Sequence, residues 1–306
     1  MFRYYLKSCL VRYTALLFGV LFSFTLSVPA LGDKTAVTIY TYRSSESVAD
    51  SRYDYDTALL NLALEKTQSE FGPYALVASP AMNFSRAILL AQRNTLPNFM
   101  IKLSYANEGY GLSYVPFPVD LGIVGYRVCF TAKSNLQRVA KIRSIADLKE
   151  MSFGVGIGWA DVDVLRSQNF DVVQVALYES LFRMTAIGRL DLFCRGVNEF
   201  LDEWNTNKNT ENFAYDKTMA IHYPLPRFFF TNEKNTLAVE RFEKGLKIAY
   251  NDGSLLSLWR EHYKESIQFA NLPARRIFKL SNPTLKDLSV EYEHYLFDPF
   301  DPENTF

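Results

Sequence analysis

Arg195 stands at the end of an apolar stretch, residues 190–194, which read Leu-Asp-Leu-Phe-Cys. A charge there is costly unless it is solvated or paired. Its planar guanidinium suits bidentate contact with a carboxylate or a phosphate. Two readings are open: an anion clamp in a ligand site, or an internal ion pair with Glu199 or Asp191. Asn198 and Glu199 follow closely enough to line the same wall. Arg127 lies inside the long apolar run 119–130 and invites the same pair of readings.

A second group surrounds a glycine-punctuated turn formed by Gly154, Gly156 and Gly158. The spacing lacks the last glycine and the downstream acid of a dinucleotide fingerprint, so a nucleotide site is excluded. The turn either exposes backbone N–H groups to a ligand or is purely structural. Trp159 and Asp161 flank it. Trp159 can stack on a ligand or pack between elements, and Asp161 can cap a helix or touch a ligand. Tyr42, after the first strand, and Tyr55, near the first helix start, are candidates for contacts from the other side of a cleft. Arg86, at the start of a second helix, is a further candidate.

Catalysis is poorly supported. The three histidines, His222, His262 and His294, are too scattered for a metal site. H-E-x-x-H, G-x-S-x-G and P-loop patterns are absent from the sequence. No metal and no cofactor is expected.

The elements that must position these groups follow from periodicity. Residues 36–42 alternate as a strand, and Asp56 is suited to cap a helix carrying Leu59, Leu62 and Ala63. Strands are expected at 74–78 and 99–103, with a helix between them capped by Asn83 or Ser85 and closed by Asn94. The run 119–130 reads as a connection between lobes. Residues 144–200 then form a compact β-α-β-α-β unit, which favours a parallel sheet with ligands at the strand C-termini. Residues 203–217 read as a polar loop, 218–223 and 227–231 as strands, and 237–250 as a helix. Asn251-Asp252-Gly253 breaks that helix, and Ser254 is placed to cap the next. The tail after Asn271 is prolyl and mostly irregular.

The chain has 306 residues, 48% hydrophobic and 22% charged, with zero formal net charge. That composition is globular, and nothing in it points to nucleic acid. Residues 1–32 differ: Arg3, Lys7 and Arg12 precede an apolar run ending in small residues, the pattern of a cleaved secretory signal peptide. The run is short for a membrane span. The protein is therefore expected to be exported. Of its cysteines, Cys9 leaves with the signal, while Cys129 and Cys194 sit on apolar strands; they read as buried free thiols, with a disulfide between them left open because an exported compartment permits one.

Four motifs, in this order and spacing, resemble the type II periplasmic solute-binding proteins, in the branch serving amino-acid-type ABC importers. They are Ile145-Ala146-Asp147-Leu148-Lys149, the strand and turn from Ser152 to Trp159, Gly188-Arg189-Leu190-Asp191, and Asn251-Asp252-Gly253-Ser254 with Leu255, Trp259 and Tyr263. The resemblance implies a two-lobed α/β fold, each lobe a mixed, mostly parallel sheet flanked by helices, joined by two crossing strands. It implies lobe one from 33–124 and 225–306, and lobe two from 125–224. Where amino-acid binders carry a carboxylate-gripping Arg, this chain has Glu108 nearby. Their usual Thr is replaced by Trp159-Ala160, and their ammonium-holding Asp falls near Arg195-Gly196.

The expectation is a monomeric binding protein that closes on a small polar, anion-bearing solute through Tyr42, Tyr55, Arg86, Arg127, Trp159, Asp161, Arg195, Asn198 and Glu199. It would deliver the solute to the membrane permease of an ABC importer. The rival readings are an enzyme of dehydratase type on the same scaffold and a ligand-sensing partner of a membrane receptor.

Overall fold

A computed structural model describes residues 36–45, 52–106, 110–301 and 304. The expected signal peptide and Glu108 lie outside the described residues. Among the described residues, no helix is long and apolar enough to cross a membrane.

The first sheet is built from β1 (Thr38–Tyr42), β2 (Tyr74–Ala78), β3 (Phe99–Ser104), β4 (Ser113–Tyr114) and β11 (Arg227–Thr231), in the order β2-β1-β3-β11-β4. β1 pairs in parallel with β2 and β3, as right-handed crossovers require. The crossovers are helices α1 (Asp54–Phe71) and α2 (Phe84–Arg93). Asn83 caps α2 by accepting from the Arg86 N–H, and Asn94 ends it in the left-handed region. Tyr53, not Asp56, occupies the cap position of α1. Asp56 sits inside the first turn and is buried, because its partner Lys102 lies beneath it on β3.

The apolar run 119–130 is not one strand. Leu121 and Gly122 take positive φ, a 3-10 turn follows at Ile123–Gly125, and only then does β5 (Tyr126–Ala132) begin. The return crossing runs alongside, with the Tyr223 N–H donating to the Gly125 carbonyl at 3.2 Å.

The second sheet has the order β12-β10-β5-β8, with β9 also on β5. Here β8 is Phe193–Gly196, β9 Phe213–Tyr215, β10 Met219–His222 and β12 Arg276–Lys279. β12 pairs in parallel with β10. The tail is therefore not simply irregular, and the stretch 225–306 does not belong wholly with the first sheet. In that tail Phe278 is buried and its neighbour Ile277 half-buried, on opposite faces of the short strand.

Between β5 and β8 lie α3 (Leu136–Val139), α4 (Ile145–Lys149), β6 (Ser152–Gly156), α5 (Asp161–Ser167), β7 (Asp171–Val175) and α6 (Tyr178–Ala186). β6 and β7 are parallel, and β6 bridges Leu192 in parallel through Phe153, as the β-α-β-α-β pattern predicts. Residues 203–217 are not a loop. Helix α7 (Phe200–Asn207) and β9 occupy most of them, held by Phe200 and Phe213 packed on Phe130 at centroid distances of 4.5 and 5.0 Å. Helices α8 (Thr236–Asn251) and α9 (Ser254–Ala270) follow β11 and precede β12. Gly253, at φ 81°, precedes α9, so Ser254 is its first residue and not its cap.

Cys129 and Cys194 are joined in a disulfide rather than free. They are register partners across β5 and β8, with Cα atoms 3.9 Å apart. Only the antiparallel pairing of two segments 65 residues apart puts them opposite each other.

Candidate functional site

β3 and β11 lie side by side, so Lys102 and Arg227 leave the same region of the first sheet. Both are cations on apolar strands and must be paired. Lys102 Nζ lies 2.5 Å from Asp56 and 3.2 Å from Asp120, which is fully buried. Arg227 Nη1 lies 3.4 Å from Asp120 and 2.7 Å from Glu199 Oε1. Glu199 belongs to the other sheet, just beyond β8. Its second oxygen lies 2.8 Å from Arg195 Nη2. Arg195 Nε donates to both oxygens of Glu203, at 2.7 and 2.9 Å, and Tyr178 Oη donates to Glu203 at 2.6 Å. One continuous run of charges therefore joins the two sheets.

Arg195 is thus held by internal carboxylates, and the anion clamp expected there is already occupied. The pairing arises because α7 places Glu203 one turn beyond Glu199. Arg195 also carries the Trp159 ring 4.6 Å from its guanidinium carbon. Burial alone would raise the Glu199 carboxyl, but the Arg195, Arg227 and Arg127 guanidiniums outweigh it and hold the group well below the usual carboxylate range. Burial raises Glu203, and Arg195 opposes this only in part. Burial also pushes Asp56 up to about 6, against the pull of Lys102.

Arg127 is neutralised too. Its Nη2 is paired with Asp161 Oδ1, and Tyr223 Oη donates to the same oxygen at 2.6 Å. Arg127 is 1% exposed and lies behind the turn, facing no ligand cavity of useful size. Asp161 is the first residue of α5, where Ala160 takes the cap position, so Asp161 serves as counter-ion rather than cap. The glycine turn is structural at its centre. Gly158 has φ 80° and faces Phe84, and the N–H groups of Trp159 and Val162 are used within the turn. A Cβ on Gly156 would meet the Trp159 ring at 2.4 Å, so a glycine is needed for the indole to lie flat on β6.

Two cavities adjoin this charge run. The first, about 190 Å3, lies between the sheets. Trp159, Asp161, Arg195 and Glu199 line it from one side; Arg43, Phe84, Lys102, Ser104, Tyr110 and Arg227 line it from the other. The second, about 500 Å3, shares Arg52, Lys102, Tyr178 and Glu199 with the first. Tyr55 and Asn198 line this second cavity. Tyr42 ends β1 half-buried against the core, and Arg86 is exposed on α2; neither lines either cavity.

The reading of the sequence missed Lys102, Asp120, Glu203 and Arg227. Lys102, inside Phe-Met-Ile-Lys-Leu, carried the same signal as Arg195: a cation in an apolar strand.

No protein-family model matches the chain, and no curated protein matches it. Solved structures do. A Salmonella typhimurium periplasmic binding protein described as highly specific for arginine is 14% identical, with a TM-score of 0.55, over 74% of this chain and 100% of that one. The fold is that of the periplasmic binding proteins. A Legionella pneumophila periplasmic binding protein of an arginine transport system aligns with the same score and identity, over 74% of this chain and 100% of its own. A histidine kinase sensor domain similar to periplasmic binding proteins aligns at 11% identity and a TM-score of 0.53, over 75% of this chain and 97% of that one. The two-lobed α/β architecture and the likeness to binding proteins of amino-acid ABC transporters agree with the motif order in the sequence.

Proposed function

We propose that this chain is an exported, periplasmic solute-binding protein whose lobes close on a small polar, anion-bearing ligand and hand it to the permease of an ABC importer. It acts as a monomer and performs no chemistry on the ligand. The observation that carries this reading is the first cavity, walled from both sheets and lined by the Arg227–Glu199 ion pair that joins them. Contacts made from both sides at once are what couple binding to lobe closure.

Size and charge support the ligand class. About 190 Å3 is smaller than sites for drug-sized molecules, roughly 300–1,000 Å3, and suits a small metabolite. Five cations line it, Arg43, Arg52, Lys102, Arg195 and Arg227, beside Asp161 and Glu199. Because internal carboxylates already hold Lys102, Arg195 and Arg227, an anionic group on the ligand would bind by sharing or displacing one of those pairings. Trp159, Phe84 and Tyr110 offer apolar cover. Lobes one and two then correspond to the two sheets, with the crossings near Gly125 and Tyr223 as the hinge.

A thermal-shift screen of amino acids, organic acids, polyamines and oligopeptides tests this. A carboxylate-bearing solute should stabilise the fold by mass action, by about 2.7 kcal/mol at a hundredfold excess over Kd, and raise Tm accordingly. It should also shift the emission of Trp159. Arg227→Ala should abolish both responses while the far-UV spectrum is kept. Stabilisation only by solutes without an anionic group would overturn the ligand class, and no response to any solute would overturn the function.

A further inference from the structure

We propose that residues 276–300 form a strap across the hinge, a further tie between the two lobes that limits how far they open. The proposal rests on the reading above, in which the lobes move about the crossings near Gly125 and Tyr223. That reading needs two crossings, but the described chain makes two more. After β11 in the first sheet it returns to the second as β12, paired in parallel with β10. It then leaves that sheet again for the first.

The strap is fastened to both lobes. On the second sheet, Phe278 and Leu280 are buried among Phe153, Leu192 and Ile221, and the Gln168 side chain donates to the Ser281 carbonyl at 2.8 Å. On the first, Tyr292 is buried with Phe99, Ile101 and Phe228, and Leu285, Leu288 and Val290 pack against the same cluster. The link between these anchors, from Asn282 to Leu285, reaches at most about 10 Å when fully extended.

The strap also sits on both crossings. At the second, Asn282 Nδ2 donates to the Pro224 carbonyl and the Leu280 N–H to the His222 carbonyl, each at 2.8 Å. At the first, Leu121 and Gly122 hold positive φ, and a hinge rotation is absorbed by a few such residues. The Phe297 N–H donates to the Leu121 carbonyl at 2.8 Å, and a Cβ on Gly122 would meet Leu296 Cδ2 at 2.6 Å. Phe297 packs on Trp259 of α9, with centroids 4.6 Å apart. Phe300 then reaches Tyr126 on β5, with centroids 5.8 Å apart. Turning the first crossing therefore has to shift Leu296, Phe297 and Phe300 against partners on both lobes. Wide opening breaks these contacts, and a tail that keeps them confines the lobes.

Pulsed electron-resonance distances between spin labels at Arg86→Cys and Glu179→Cys, one on each lobe, test this without added solute, in a Cys9→Ser background. Leu296→Ala with Phe300→Ala loosens the strap. Both side chains are partly exposed, at 40% and 45%, so the fold should be kept. The distance distribution should be narrow in the parent and extend to longer distances in the double variant. Deleting residues 283–306 should extend it further; if that chain fails to fold, the double variant decides alone. A tail that only completes the packing would lower Tm and leave the distances unmoved. Equal distributions in the parent and the double variant, whether narrow or broad, would overturn the proposal. The solute panel keeps the two readings apart. A solute response with equal distributions would sink the strap alone. Strap-dependent distances without any solute response would sink the binding role alone.

Discussion

Arg227 Nη1 and Glu199 Oε1 lie 2.7 Å apart, and the pair ties β11 of the first sheet to the end of β8 in the second. Glu199 also faces Arg195, so one carboxylate balances two guanidiniums. Glu199→Gln should leave both under-compensated. The expected cost is about 3 kcal/mol, at the low end for breaking a buried pair, because Asp120 and Glu203 remain. Urea unfolding measures the cost. Small-angle scattering should show a larger radius of gyration for the variant, since the interlobe tie is weakened. An unchanged radius with normal stability would remove the pair from any role in closure.

Asp56 gives a pH dependence whose sign is opposite to that of an ordinary surface carboxylate. Burial raises its folded value to about 6 from 3.8. The associated stability is therefore full below the ordinary value and lost as pH rises through about 6. Two units correspond to roughly 3 kcal/mol. Asp56→Asn should match the parent near pH 3.5 and become relatively more stable toward pH 8. Parallel Tm curves for the two proteins across that range would refute the assignment.

Arg127 and Asp161 form a buried pair with Tyr223 as a third member. Arg127→Met alone should cost about 3–5 kcal/mol, because Asp161 keeps a charge without its counter-ion. Arg127→Met with Asp161→Leu should recover most of that loss, since an apolar pair of similar volume needs no compensation. Denaturant midpoints of the two variants decide it; a double variant as unstable as the single would mean the pair is worth more than its desolvation.

The Cys129–Cys194 bridge closes a loop of 65 residues. Chain entropy assigns such a bridge about 4 kcal/mol. Cys129→Ser with Cys194→Ser should lower stability by that order, and thiol titration of the denatured protein without reductant should find neither cysteine free. Reactive thiols at both positions would contradict the pairing.

Much of the architecture was legible in the order of elements. The alternation of 36–42, the caps at Asn83 and Asn94, and the unit from 144 to 200 are local signals, and each was met. Helix α7 was not legible, because one of its polar residues, Glu203, faces inward and pairs with Arg195 and Tyr178, which breaks the apolar periodicity of the buried face. Strand β12 was hidden in a prolyl tail, since a short strand added to an existing sheet needs little pattern of its own. Of the candidate residues, Trp159, Asp161, Arg195 and Glu199 do line the first cavity, and Tyr55, Asn198 and Glu199 the second. Arg127 lies behind the turn, and Tyr42 and Arg86 stand apart.

By itself the sequence determined which side chains would be costly to bury and which segments would be strands and helices. Those are properties of residue type and of spacing along the chain. It marked Arg127 and Arg195 as cations in apolar strands, and left open whether a ligand or the protein would neutralise them. Only the tertiary structure decided that, because the deciding carboxylates come from other elements: Asp161 from α5 for Arg127, and Glu203 from α7 for Arg195. The disulfide was decided in the same way, by the register of two strands far apart in the chain. Burial cost is local to a residue, whereas compensation is a matter of distance across the fold.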